Sequence, residues 1–290
     1  MKNETDIEAG LVSTDWLAEK LQQAGVTGTN NDDAHQRARD AGLVLFDATH
    51  HLTDKTRDAQ KEWQEQHIAG SSYFDISRIA DTDSPWPNTV PSASAFEQKI
   101  SALGVSNSDT VIAYDSLGLF SAARVWWLFR YFGHQRVAVL DGGLPKWIAE
   151  GKQLLAGNAK LVSGNFSATE NTQLYSSAEA VAEVSSQVSA RVSSKAGSSI
   201  SIVDARGAGR FAGHSPEPRA GLRSGHIPGS INLPFQQLLN DDFTYKSPEQ
   251  LRSLFESVGL KDNSAVITSC LLYTSPSPRD ATLSRMPSSA

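Results

Sequence analysis

The chain repeats itself, and that constrains its fold more than any other feature. Leu43-Val44-Leu45-Phe46-Asp47-Ala48 and Ile200-Ser201-Ile202-Val203-Asp204-Ala205 are both short β-prone runs ending in Asp-Ala. His67-Ile68-Ala69-Gly70-Ser71 returns as His226-Ile227-Pro228-Gly229-Ser230, and Val111-Ile112-Ala113-Tyr114-Asp115 as Val266-Ile267-Thr268-Ser269-Cys270. The Asp and His landmarks lie 20 residues apart in the first copy and 22 in the second; the third landmark ends 68 and 66 residues after the Asp. Three landmarks in one order at near-equal spacing define a duplicated domain. A length of 290 residues accommodates two domains of roughly 100–200 residues each.

Each copy reads as α/β. Short apolar strands at Val44 to Phe46, Val111 to Tyr114 and Val137 to Leu140 alternate with helical patterns at Ala59 to Gln66, Ala95 to Leu103 and Ser121 to Phe132. This alternation predicts parallel strands with helices on both sheet faces. In such sheets ligands bind beyond the carboxyl ends of the strands, where Asp115 and Cys270 fall. Between the copies the composition drifts to Ser, Ala, Asn and Lys, with an amphipathic helix expected over Ser177 to Val192. The expected division is a first domain over 10–151, a linker and start of the second over 152–199, and the second domain over 200–270.

Charge and cysteine content exclude several classes. A net charge of −6 argues against a nucleic-acid platform, which needs basic groups to neutralise phosphates. No run of about 18 apolar residues exists, so no membrane helix is expected. The single cysteine precludes an intrachain disulfide framework and fits a reducing compartment. The start, MKNETDIEAG, has neither a secretory apolar core nor the basic amphipathic character of a transit peptide. A cytoplasmic protein is expected, or a mitochondrial one if residues precede Met1. His35, His50, His51, His134 and His214 lack ligand-like spacing, so no metal is expected.

The stretch Phe120-Ser121-Ala122-Ala123-Arg124-Val125-Trp126-Trp127, with Leu140-Asp141-Gly142-Gly143-Leu144-Pro145-Lys146-Trp147, resembles the non-catalytic first domain of the rhodanese / 3-mercaptopyruvate sulfurtransferase family. Gly209-Arg210-Phe211, Pro216-Glu217-Pro218-Arg219 and Gly225-His226-Ile227-Pro228-Gly229 resemble its catalytic second domain. The resemblance runs from about Val12 to Cys270 and implies two tandem rhodanese-like α/β domains, the second incomplete. It implies transfer of sulfane sulfur from 3-mercaptopyruvate or thiosulfate, through a persulfide on Cys270, to a thiol, thioredoxin or cyanide. It implies no metal or organic cofactor, small anionic sulfur donors as partners, and a monomer. Arg210 and Arg219 match the two arginines that hold the substrate carboxylate in the mercaptopyruvate branch, a task suited to a planar guanidinium fork.

The chemistry needs a thiolate, and a free cysteine with a pKa of about 8.5 is mostly protonated near neutrality. A loop of inward-pointing N–H groups at a helix N-terminus lowers that value and steadies a persulfide. The family's run after the cysteine is roughly Cys-Gly-Ser-Gly-Val-Thr-Ala. Here Cys270 is followed by Leu271-Leu272-Tyr273-Thr274-Ser275-Pro276, which has no glycine and ends in a residue without an N–H. Residues 271–290 resemble a translated sequencing adapter, and Cys270 itself could be adapter-encoded. The expectation is that the chain as written is inactive and poorly folded in its second half. The competing readings are a rhodanese-fold binding or regulatory module without catalysis, and a phosphatase or arsenate-reductase relative with a longer loop.

Other residues carry blander expectations. Asp115 cannot form a persulfide and reads as structural. Arg206 reads as a packing or interdomain residue, and His67 and His226 as caps or braces of their loops. Asp58, nine residues before His67, is a candidate member of a proton relay with it. Trp126, Trp127 and Trp147 are expected in packing.

Overall fold

The computed structural model describes residues 7, 10–26, 30–52, 54, 56–191, 200–218, 222–260 and 265–269. The chain divides into two compact units, residues 1–172 with 241–244, and residues 173–240 with 245–290.

The first unit contains β1 (Leu11–Val12), α1 (Thr14–Gln23), α2 (Asn31–Asp40), β2 (Leu43–Asp47), α3 (Ala59–Glu65), β3 (His67–Ile68), β4 (Ser71–Tyr73) and α4 (Ile76–Ile79). It continues with α5 (Ala93–Ala102), β5 (Thr110–Tyr114), α6 (Ala122–Tyr131), β6 (Val137–Leu140), α7 (Gly143–Ala149) and β7 (Leu154–Leu155). Five strands form one parallel sheet in the order β1-β6-β5-β2-β4. Every residue of β2, β5 and β6 is buried, as expected of parallel strands covered by helices on both faces. One face packs Leu17, Leu21, Leu45, Ile68, Ile112 and Trp147 into a continuous core. Helix starts are fixed locally: the side chains of Ser13, Asn30, Asp58 and Ser92 each accept a backbone N–H from the first turn of α1, α2, α3 and α5.

The chain after residue 151, expected to begin a linker, instead packs on this unit. β7 pairs antiparallel with β3. Phe166 is buried against Phe96 and Phe129, with ring centroids at 5.7 and 5.8 Å and edge-on geometry. One large aromatic anchors a segment whose average composition looks like linker, and burial of such a ring stabilises by a few kcal/mol.

The second unit contains α8 (Ala178–Arg191), β8 (Ile200–Asp204), α9 (Ala208–Phe211), β9 (Ile231–Asn232), α10 (Pro248–Ser257) and β10 (Ala265–Ser269). Its described strands form a parallel sheet in the order β10-β8-β9. Val181, Ile202 and Ile227 pack on one side, and Val203, Leu233 and Leu260 on the other. Among the described residues no helix is long and apolar enough to cross a membrane.

Candidate active site

The two sheets share one register. Asp47 on β2 lies opposite Tyr114 on β5, and Asp204 on β8 lies opposite Ser269 on β10. The next residues repeat the same bonds: Ala48 N–H donates to Tyr114 O at 2.8 Å, and Ala205 N–H to Ser269 O at 3.1 Å. On the other flank Phe74 N–H donates to Asp47 O at 2.8 Å, and Leu233 N–H to Asp204 O at 3.0 Å. The duplication read from sequence is therefore a duplication of hydrogen-bonded backbone, and position 115 corresponds to position 270.

In the first unit that position ends in an anion cradle. Asp115 is fully buried, and its carboxylate accepts N–H bonds from Leu117, Phe120, Ser121 and Ala122 at 2.8–2.9 Å. Gly118 and Leu119 both take left-handed backbone, which curls the loop so that its amides face inward. Ser121 makes no side-chain cap for α6, so Asp115 supplies the acceptor for that helix start. Gly143, at φ +56°, opens α7 so close by that an added Cβ would sit 2.7 Å from Asp115 O. Burial pushes the Asp115 carboxyl above its usual range, and the four backbone donors oppose that.

Asp47 stands beside it. Its carboxylate accepts the amide N–H and hydroxyl of Thr49. Burial pushes its pKa up to about 7; the Thr49 bonds oppose this and the neighbouring Asp115 adds to it. The second unit solves the same problem differently. Arg206 occupies the place of Thr49 two residues after the Asp, and its guanidinium grips Asp204 with Nε at 2.9 and 3.1 Å from the two oxygens. Burial disfavours the Arg206 charge, but the bonds and charges of Asp204 and Glu217 outweigh it and hold its pKa above the usual value.

Arg206 is thus a packing residue at the heart of a chain of alternating charges. Its Nη1 donates to Glu217 Oε1 at 2.7 Å and its Nη2 to Gly225 O at 2.8 Å. Glu217 Oε2 in turn accepts from Arg210 Nη2 at 2.6 Å and Nε at 3.2 Å. Arg210, on α9, is not a solvated surface charge; it is half-buried and held by a carboxylate. Arg219 and Cys270 lie outside the described residues, as do residues 271–290. Ser269 ends β10, which pairs with β8, and Arg210 lies on α9, the helix that follows β8.

The histidines brace loops in both units by one device. His67 Nδ1–H donates to Trp63 O at 2.5 Å while the ring stacks on Trp63 at 4.8 Å. His226 Nδ1–H donates to Phe211 O at 2.8 Å and stacks on Phe211 at 3.9 Å. Burial holds the His67 pKa down. Asp58, considered for a relay with His67, is instead the N-cap of α3, accepting from Lys61 N–H at 3.1 Å. Glu217 is the residue that sequence reasoning passed over. It sat in view between two prolines, but its partners are 7 and 11 residues away and no periodicity links them.

A cavity of about 470 Å³, lined by Trp16, Lys20, Thr110 and Arg136, opens at the amino ends of β2, β5 and β6, the opposite end of that sheet from Asp47 and Asp115.

Comparison with known proteins agrees with this geometry. The rhodanese-like domain family matches residues 30–150. The chain is 40% identical over 263 residues to thiosulfate sulfurtransferase of Bos taurus, spanning 90% of this chain and 80% of that protein. It is 37% identical over 262 residues to 3-mercaptopyruvate sulfurtransferase of Rattus norvegicus, with the same coverage. Among solved structures, SseA from Escherichia coli, described as showing the rhodanese fold of 3-mercaptopyruvate sulfotransferases, superposes with a TM-score of 0.74 at 29% identity, covering 95% of this chain and 92% of that one. The sulfur transferase subunit of yeast mitochondrial complex I gives 0.72 at 28% identity, covering 90% and 84%. The chain belongs to the family of rhodanese-fold sulfurtransferases that includes the thiosulfate and 3-mercaptopyruvate enzymes.

Proposed function

We propose that the protein moves sulfane sulfur from 3-mercaptopyruvate or thiosulfate to a thiol, thioredoxin or cyanide, with Cys270 as the nucleophile and Arg210 and Arg219 as carboxylate anchors. The Cys270 thiolate attacks the donor sulfur. With thiosulfate the S–S bond breaks and sulfite leaves. With 3-mercaptopyruvate the C–S bond breaks, the electron pair goes to carbon, and the donor's S–H proton completes the methyl group of pyruvate. The acceptor then attacks the outer sulfur of the persulfide and restores the thiolate. Arg210 and Arg219 would orient the carboxylate of the keto acid, which favours that donor over thiosulfate.

The observation that carries this reading is the shared register. Ser269 lies opposite Asp204 as Tyr114 lies opposite Asp47, and the residue that follows Tyr114, Asp115, sits in a four-donor anion cradle; by sequence the residue that follows Ser269 is Cys270, which supports reading it as the counterpart of Asp115. Such a cradle suits a thiolate or persulfide as well as a carboxylate. One observation favours the second reading, a rhodanese-fold module without catalysis: Leu271-Leu272-Tyr273-Thr274-Ser275-Pro276 offers no glycine for such a loop. A single cysteine suits a reducing compartment, and a cytoplasmic monomer is the proposed state.

We propose further that residues 271–290 are adapter-derived, and the test is to express the protein from its uninterrupted coding sequence, alongside the 290-residue chain, and measure pyruvate released from 3-mercaptopyruvate and thiocyanate formed from thiosulfate. Mass spectrometry would locate the persulfide. Turnover that disappears in Cys270→Ser, with a persulfide on Cys270, is the expected result. Donor-treated protein without a persulfide there would leave only the inert module.

A further inference from the structure

We infer that Glu217 is a positioning and specificity-determining residue, clamping Arg210 so that one edge of its guanidinium is fixed and the remaining nitrogen is presented to the donor's carboxylate. The inference rests on the reading of Arg210 as carboxylate anchor.

The geometry is a relay running from the sheet outward. Asp204, fully buried at the end of β8, anchors Arg206; Arg206 anchors Glu217; Glu217 anchors Arg210. Side-chain exposure along the last three rises from 2% at Arg206 and 2% at Glu217 to 22% at Arg210. Each carboxylate lies between or against guanidinium groups. Arg210 commits Nε and Nη2 to a single Glu217 oxygen, and its Nη1 has no partner among the described residues. A guanidinium left with one free nitrogen binds an incoming carboxylate end-on, in a direction set by the clamp.

Two consequences follow from chemistry. A keto acid has a directional carboxylate at one end and its reacting sulfur at the other, so the bearing of Arg210 decides where the sulfur falls. Thiosulfate is a compact dianion that responds to net charge more than to direction. Glu217 therefore favours the carboxylate donor twice, by fixing Arg210 and by cancelling the excess positive charge that would draw thiosulfate. A residue buried only to satisfy Arg206 would have neither effect.

The experiment uses the protein from its uninterrupted coding sequence, with Glu217→Gln, Arg210→Ala and the double variant, and both donors. Gln keeps the length of the side chain and leaves Arg206 on Asp204. Loss of one charge-assisted hydrogen bond predicts about a tenfold rise in KM for 3-mercaptopyruvate, with kcat within about twofold. KM for thiosulfate should stay level or fall. Glu217→Gln should add little in the Arg210→Ala background, because the two act as one unit. If Arg210→Ala raises KM while Glu217→Gln leaves both donors unchanged, the clamp is refuted and the anchor survives. If Arg210→Ala leaves KM unchanged, the anchor itself falls and takes the clamp with it. Should Glu217→Gln fail to fold, the unmodified protein still decides: the Arg210 Nε–H resonance, assigned with Arg210→Lys, should exchange with solvent slowly, and exchange as fast as an exposed arginine would overturn the inference.

Discussion

Replacing Asp47 with asparagine should stabilise the first unit at neutral and alkaline pH and leave it nearly unchanged in acid. Asp47 is buried beside a second carboxylate, with Thr49 as donor and no bonded cation among the described residues. Its pKa is pushed up to about 7, against 3.8 for an unperturbed carboxyl. Between these two values the folded state holds a proton that the unfolded state releases, so stability falls as pH rises from about 4 to about 7. At 1.36 kcal/mol per pKa unit, the loss above pH 7 reaches about 4 kcal/mol. The asparagine amide keeps an oxygen for both Thr49 donors and cannot ionise. The neutral histidines His35, His67 and His134, whose pKa values burial holds down, weaken the fold in acid instead. They contribute equally to parent and variant, so the difference between the two isolates Asp47. The assay is urea unfolding followed by tryptophan fluorescence from about pH 4.5 to 8.5, a window that spans the titration, since all six tryptophans lie in the first unit. The advantage of the variant should grow with pH to about 4 kcal/mol, or about 8–16 °C in Tm for a unit of this size. A difference that stays flat across that range, or a variant less stable at the alkaline end, would refute the reasoning.

Three further perturbations test the packing and the charges. Asp115→Ala strips the acceptor from four backbone N–H groups and should cost the first unit about 4 kcal/mol in the same fluorescence assay. Phe166→Ala should cost that unit about 3–5 kcal/mol, because the ring is buried against Phe96 and Phe129; a linker residue would cost nothing measurable. Arg206→Met leaves the Asp204 and Glu217 carboxylates buried without their shared cation and should cost the second unit about 3–5 kcal/mol. Faster proteolysis within residues 200–260, with an unchanged fluorescence midpoint, would show that loss.

Much of the fold is legible because long buried strands announce themselves. The runs at Leu43–Asp47, Thr110–Tyr114 and Val137–Leu140 are apolar throughout their centres, and the predicted strand bounds differ from the observed ones by one residue at most. Helices end within two residues of expectation, at α3, α5 and α6 alike. The two-residue strands β1, β3 and β7 carry no period to read, and they exist only because a neighbour completes their hydrogen bonds. The segment containing Phe166 misleads for a related reason: one ring decides its place, while its remaining residues say loop. At the site, Trp63 and His67 are four apart on a helix end and could have been paired from spacing alone. Phe211 and His226 are 15 apart and could be paired only by analogy with the first copy. Glu217 needed the fold, because its two arginines come from the strand end and from the helix that follows it.

The two copies share a backbone and part company at two side chains. Position 49 is Thr and position 206 is Arg, so the buried carboxylate that ends β2 is left proton-hungry while the one that ends β8 is ion-paired. Position 115 is Asp and position 270 is Cys, so the first unit fills its own cradle with a permanent carboxylate. These two differences belong together. In the first unit burial raises Asp47 toward protonation, and the neighbouring Asp115 adds to it. In the second unit, where Arg206 stands in place of Thr49, the chain from Asp204 through Arg206 and Glu217 to Arg210 carries a cation outward from the buried strand end, each group along it bonded to one of opposite charge.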